Sequence, residues 1–172
     1  MKIHLGCGSN YLEGWCNVDL DSPAADMQAD LRNPLPYTDA TVDLIYNEHF
    51  LEHLTLEQGL SFLKECRRVL KPRGVLRIST PDVRWLLSQY IVGRLDEWTD
   101  AGWVPETPCR LLNEGMRRWG HEFVYDLPEL TMALQVAGFS EINRVGHRTS
   151  GNRELVGLEC RPWHQELIVE AQ

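Results

Sequence analysis

Short apolar runs broken by glycine, proline and acidic residues occupy the first fifty positions, and longer apolar stripes with a three-to-four-residue period follow. The run from Ile3 to Leu5 ends at Gly6-Cys7-Gly8. A second covers Trp15 to Leu20, and a weak third lies around Asp26 to Ala29. Short runs bounded by turn residues predict strands. Residues 31–41 carry Asn33-Pro34, Pro36 and Asp39 and predict a loop. Val42 to Tyr46 and Val75 to Ser79 predict two more strands.

Between those strands Leu56, Leu60, Leu63, Cys66 and Leu70 recur on one helical face. Thr55 with Gln58 three positions on predicts a capping box, and Pro72 stops the ladder. A second helix is predicted from Pro81 to about Trp98, with Thr80 as N-cap. A third starts at Asp126, boxed with Glu129, and ends at Gly138. Closing strands are predicted near Ile142 to Val145 and Leu155 to Cys160, and Pro162 to Gln172 is open to strand, helix or tail. Gly102, Pro105, Pro108 and Gly120 interrupt any long period in residues 99–125, which read as an insertion or lid.

Strands alternating with helices predict an α/β fold: three layers, doubly wound around a mostly parallel sheet, in one domain over residues 1–172. Ligands of such sheets bind at the strand C-termini. A length of 172 residues suits one domain, and 43% hydrophobic with 24% charged residues excludes a disordered chain. The net charge of −8 disfavours nucleic acid and anionic membrane as partners. Met1 to Gly6 is apolar over too few positions for a signal peptide, and no run is long enough to span a bilayer. Five scattered cysteines, never spaced C-x-x-C, predict reduced thiols and a cytoplasmic protein rather than disulfides or a zinc ribbon.

The predicted strand ends gather the candidate chemistry. Gly6 and Gly8 let a backbone approach a ligand closely, or simply make a tight turn. Asp19, with Asp21 beside it, sits where nucleoside-binding sheets place an acid on ribose hydroxyls. Asp30-Leu31 and Asn47-Glu48-His49 end the next two strands. Four polar ends in register with a glycine turn point to one site.

These blocks resemble the class I S-adenosylmethionine-dependent methyltransferases, nearest the small "methyltransferase type 11" branch. The resemblance rests on Ile3 to Ser9, Asn17-Val18-Asp19, Asp30-Leu31, Val42 to Tyr46, Leu51-Glu52-His53-Leu54 and Leu70 to Leu76, and resumes at Ala137-Gly138-Phe139. It implies a Rossmann-like methyltransferase fold, S-adenosylmethionine as cofactor, and methyl transfer to O, N or C of a small-molecule acceptor by in-line displacement. Carried over by position, it implies that Gly6, Cys7 and Gly8 run along the methionine portion and that Asp19 binds ribose. It also implies that Asp30 and Leu31 contact adenine, and that Asn47, Glu48 and His49 face the sulfonium and the acceptor. Residues 9–14 and 21–25 are too short for the helical crossovers of the family, which take about a dozen residues. One sheet face is therefore expected to be under-covered, with a partner subunit, a homo-oligomer or a rearranged edge as remedies.

Should the acceptor carry a proton to be removed, His49 is the first candidate base, because it follows the fourth strand and a free imidazole titrates near neutrality. His121 is the second, in the expected lid. The competing readings are a helix-entry histidine and a surface loop. Trp119, Phe123 and Tyr125 wall an acceptor pocket or pack the insertion, and Arg117-Arg118 bind an acidic acceptor or stay solvated. His49-Phe50-Leu51-Glu52-His53 also matches H-x-x-E-H, the signature of a zinc hydrolase, with Glu122 or Glu129 as conceivable third ligand. The cap at Thr55 places that pair outside a helix, so no metal is assigned. A catalytically inactive binding or assembly subunit is the other alternative. A nucleotide-dependent oxidoreductase is disfavoured by Tyr11, which breaks G-x-G-x-x-G.

Overall fold

The computed structural model describes residues 1–93, 102–161 and 166–172. Seven strands form one sheet: β1 Lys2–Leu5, β2 Cys16–Asp19, β3 Met27–Gln28, β4 Val42–Glu48, β5 Leu70–Thr80, β6 Ile142–Arg144 and β7 Leu167–Ala171. Their order is β3-β2-β1-β4-β5-β7-β6, parallel except for β7, which runs antiparallel to both neighbours. Described helices are α1 Leu56–Val69, α2 Val83–Val92, α3 Pro108–Arg117 and α4 Leu127–Ala137. None of them is long and apolar enough to cross a membrane.

Local signals account for most of these boundaries. Thr55 and Gln58 form the reciprocal cap of α1, with the Gln58 amide donating to Thr55 Oγ1 and the Thr55 amide to Gln58 Oε1. Gly59, Phe62, Leu63, Cys66 and Val69 then bury one face of α1 against the sheet and α4. Asp126 accepts the Glu129 amide at the start of α4, and Gly138, at φ 100°, closes it. The second helix starts later than predicted, at Val83 behind an Asp82 cap. Thr80 cannot cap it, because it lies in β5 opposite Leu167 and its hydroxyl donates to Glu52. The predicted end of that helix near Trp98 falls outside the described residues.

The expected insertion holds a helix. Thr107 caps α3 by accepting the Arg110 amide, and Pro108 opens it, since proline lacks only an N–H that the first turn leaves unpaired. Leu111 joins Leu86 and Trp103 in a separate small core, and Gly115 lets α3 approach Leu86 closely.

The face left bare by the short early crossovers is covered by the chain itself. Leu155 buries with Trp15, Leu44, Tyr46 and Val75 on that side. Beside it Arg77, wholly buried, pairs with Glu159 (Nη2 to Oε1, 2.6 Å), with Glu170 on the facing strand (2.5 Å) and with the Thr149 carbonyl (2.9 Å). Residues 155–160 are therefore not a strand, contrary to expectation. The Cys160 and Arg161 amides donate to the Glu48 carboxylate at 3.1 Å, so these N–H groups serve a side chain rather than a ladder. The closing strand comes from the open segment instead, at Leu167–Ala171.

His4 adds a titrating group beneath this cover. Its ring is buried, lies over Tyr46 with centroids 5.0 Å apart, and places Nδ1 3.2 Å from Asn17 Oδ1. Burial, against the pull of Asn17, drops its pKa from 6.5 to about 4. The unfolded chain then binds the extra proton between those values, so His4 leaves stability intact above pH 6.5 and erodes it as pH falls through about 4. The full loss is at most on the order of 3 kcal/mol. His4→Gln should flatten the melting temperature between pH 6.5 and 4. An unchanged slope in that variant would assign the acid sensitivity to other groups.

Candidate functional site

The C-terminal edges of β1, β2 and β4 meet around the glycine turn. Gly6, at φ 71°, donates its amide to the Val18 carbonyl at 2.8 Å, and the Cys7 amide joins it at 3.1 Å. A Cβ on Gly6 would lie 2.7 Å from the Phe50 ring, so this glycine permits close packing between the turn and the segment after β4. Gly8, at φ 51°, differs: a Cβ there meets no protein atom within 4 Å. Its approach is open to a ligand. Cys7 is buried, and burial raises its thiol above the ordinary range.

Asp19 holds this turn. One carboxylate oxygen accepts the Gly8 amide at 2.9 Å, and the other accepts those of Asp21 and Ser22 at 3.0 Å each. Ser22 in turn donates its hydroxyl to the Gly8 carbonyl. Partial burial opposes the charge on Asp19, but the Gly8, Asp21 and Ser22 amides outweigh it and keep the pKa below the usual carboxylate range. Asp30 is partly buried at the neighbouring edge, where bonds to Arg32 at 2.7 and 2.8 Å depress its pKa to about 2. Leu31 beside it is buried.

Asn47, next to last in β4, is fully buried, and neither its amide nitrogen nor its oxygen has a hydrogen-bond partner among the described residues. An unpaired buried amide is costly, so such a group is suited to meet a polar ligand. Glu48 points to the opposite sheet face, as strand neighbours must. Its carboxylate is taken up by the Cys160 and Arg161 amides, a structural anchor rather than the expected cofactor contact.

His49, in the left-handed region at φ 51°, is clamped between two carboxylates. Nε2 lies 2.6 Å from Glu166 Oε1, and Nδ1 lies 3.1 Å from Glu52 Oε1. Burial disfavours its charge, but Glu166 and Glu52 prevail and lift the pKa to about 9. The expected general base is thus an imidazolium at neutral pH, with Nε2 hydrogen-bonded to Glu166 and Nδ1 in ion-pair contact with Glu52. No local signal points to Glu166, which lies 117 positions away and is also bound by the Ser79 hydroxyl.

Glu52 and His53 occupy a single 3-10 turn, Leu51–His53. The two histidines of H-x-x-E-H diverge there: His49 goes to Glu166 and His53 to His121, whose ring centroid is 5.1 Å away. They share no metal site, and the zinc-hydrolase motif loses its geometry. The Glu52 carbonyl accepts the Glu122 and Phe123 amides at 2.8 and 3.2 Å, which brings the segment after α3 onto this edge. His121 sits within it, its Nδ1 2.9 Å from the Gly115 carbonyl. Burial lowers its pKa. Phe123 packs edge-on against the buried Tyr125 at 4.9 Å, so these two serve packing. Trp119 stays half exposed against Trp103, with Arg118 stacked over it and paired to Glu114.

The chain is similar in sequence and in fold to known proteins. A family model described as a methyltransferase domain matches residues 4–78. A probable S-adenosylmethionine-dependent methyltransferase of Mycolicibacterium smegmatis is 40% identical over 150 residues, covering 87% of this chain and 47% of the relative. The chain thus spans under half the length of that curated relative. Among solved structures, a SAM-dependent methyltransferase from Archaeoglobus fulgidus superposes with a TM-score of 0.62 at 15% identity, over 99% of this chain and 84% of the other. A Haloferax volcanii methyltransferase, described as putative and solved in complex with the Trm112 methyltransferase activator, gives 0.60 at 14% identity, over 99% and 80%. At such identities these two structures show the fold alone.

Proposed function

We propose that the chain is a class I S-adenosylmethionine-dependent methyltransferase and that it moves the cofactor's methyl group to a small-molecule acceptor by in-line displacement. One observation carries the reading: Asp19, held ionised, fastens a Gly8 turn that is open on its outer side, at the sheet edge where Asn47 buries an unpaired amide. The residues fit the cofactor. The Gly8 backbone offers close approach to its methionine portion, Asp19 retains lone pairs for ribose hydroxyls, and Asn47 has both a donor and an acceptor to give. Leu31 provides an apolar contact for adenine, while Asp30 reaches it only by yielding part of its pairing with Arg32.

When bound, S-adenosylmethionine supplies a methyl group on a positively charged sulfur. The protein's part is positioning: the reacting atoms must stand in line at near contact, which supplies much of the acceleration. An acceptor without a proton to lose needs no base. The segment from Gly115 to Phe123, whose Glu122 and Phe123 amides donate to the Glu52 carbonyl, supplies the acceptor side of this reading. The acidic chain favours a small molecule over a nucleic acid as acceptor.

Isothermal titration with S-adenosylmethionine and S-adenosylhomocysteine tests the donor half. Micromolar binding is expected. Asp19→Ala should weaken it on the order of tenfold or more, because a hydrogen bond to a charged group is worth about 1.5–3 kcal/mol. Undiminished affinity in a folded variant would remove Asp19 from the site. No binding by folded wild-type protein would favour the inactive assembly subunit instead.

A further inference from the structure

We propose that Glu52, His53 and His121 form a binding site for one divalent ion of the zinc type, distinct from the sequence motif that first joined Glu52 and His53. Each offers one donor atom, and the three atoms lie within 4.8 Å of one another. Glu52 is fully buried, and Thr80 takes its Oε2. Its Oε1 has no hydrogen bond of good geometry from any described group, despite the 3.1 Å approach of His49.

His121 makes the argument specific. Its Nδ1 faces the Gly115 carbonyl at 2.9 Å, and a carbonyl only accepts, so Nδ1 carries the hydrogen. With Nδ1 so engaged, Nε2 is the ring atom that faces Glu52, 3.9 Å from its Oε1. A cation between these atoms would give the unpartnered Glu52 Oε1 a partner. A carboxylate and two imidazoles are a usual zinc donor set, and three protein ligands leave the fourth position open. The Gly115 carbonyl would be the outer partner that fixes ring and tautomer. Zinc at about 2.0–2.1 Å from each donor needs them about 3.3 Å apart in a tetrahedron. On binding the cluster must contract by roughly an ångström, across the 3.9 Å gap between Glu52 and His121 as well as at the half-buried His53 ring.

The site is independent of methyl transfer and is tested without it. Full-length protein is stripped with chelator, desalted, and titrated with Zn²⁺ by calorimetry and with Co²⁺ by visible absorption, in the absence of S-adenosyl compounds. One equivalent is expected, with cobalt d–d bands and no thiolate charge-transfer band, since the exposed Cys109 and Cys160 are not ligands. His53→Ala and His121→Ala should each weaken binding at least a hundredfold, given that losing an outer partner alone costs about 10–100-fold. His147→Ala, on the opposite cover where it faces the Arg161 carbonyl, should change nothing. His53 is only half buried, so its variant keeps the test valid if His121→Ala fails to fold. Substoichiometric uptake, a thiolate band, or wild-type affinity in folded His53→Ala would overturn the assignment. Asp19→Ala, which addresses the cofactor, should leave metal affinity unchanged and so separates the two readings.

Discussion

Arg77→Ala is expected to destabilise the protein by about 3–5 kcal/mol, the usual cost of removing one partner from a buried ion pair. The guanidinium is wholly buried, with Glu159 on one side and Glu170 on the other, and Glu159 is equally out of reach of water. Truncation leaves Glu159 charged and uncompensated beneath the 146–161 cover and opens a cavity beside Tyr46. For a chain of this size each kcal/mol moves the melting midpoint by about 2–4 °C, so a fall of roughly 6–20 °C is expected. Urea unfolding, read as a shift in midpoint at constant slope, gives the same quantity independently. Replacing the wholly buried pair, as Arg77→Met with Glu159→Leu, should recover part of the loss, because the desolvation of two charges disappears with their attraction while the more accessible Glu170 loses its partner. A single-variant loss below about 1 kcal/mol would mean that water reaches Glu159 when the arginine is gone.

Gly6→Val should be nearly as damaging, and Gly8→Ala should separate cofactor binding from folding. At Gly6 a side chain must adopt φ 71° and enter space held by Phe50, whose nearest atoms would be 2.7–2.9 Å from the new Cβ. The left-handed backbone costs about 1–2 kcal/mol and overpacking about 1–3 kcal/mol, together roughly 2–5 kcal/mol. At Gly8 only the backbone cost applies, since the added methyl group meets nothing. That methyl nevertheless projects into the approach assigned to the cofactor. Gly8→Ala is therefore expected to lose about 1–2 kcal/mol of stability but at least tenfold in S-adenosylmethionine affinity. Wild-type affinity in Gly8→Ala would move the cofactor away from this turn.

The contrast between the two glycines shows where sequence reading stops. Both were expected at one ligand turn, and both do adopt positive φ. Only the neighbours brought up by folding distinguish the packing glycine from the open one. His49 is a sharper case. Its place after β4 is legible from the apolar run before it, but its protonation depends on Glu166, which enters beside β7 from the far end of the chain. Local pattern also misassigned residues 155–160. Leu155 and Leu158 suit a strand, yet the Cys160 and Arg161 amides are claimed by Glu48 and the Glu159 carboxylate by Arg77.

The sequence by itself determined the order of β1 to β5, the capped α1, and the positions of Gly8 and Asp19. Those features follow from turn chemistry, caps and apolar period, which act between residues a few positions apart. Tertiary structure alone decided which segment covers the second sheet face, that His49 is held as a cation, and that Glu52 meets His121. Each of these rests on a polar side chain whose partner lies far along the chain, and no periodicity records such a pairing. Burial and charge are properties of the assembled neighbourhood, so the chemistry of this edge becomes readable only once the sheet has brought its strands together.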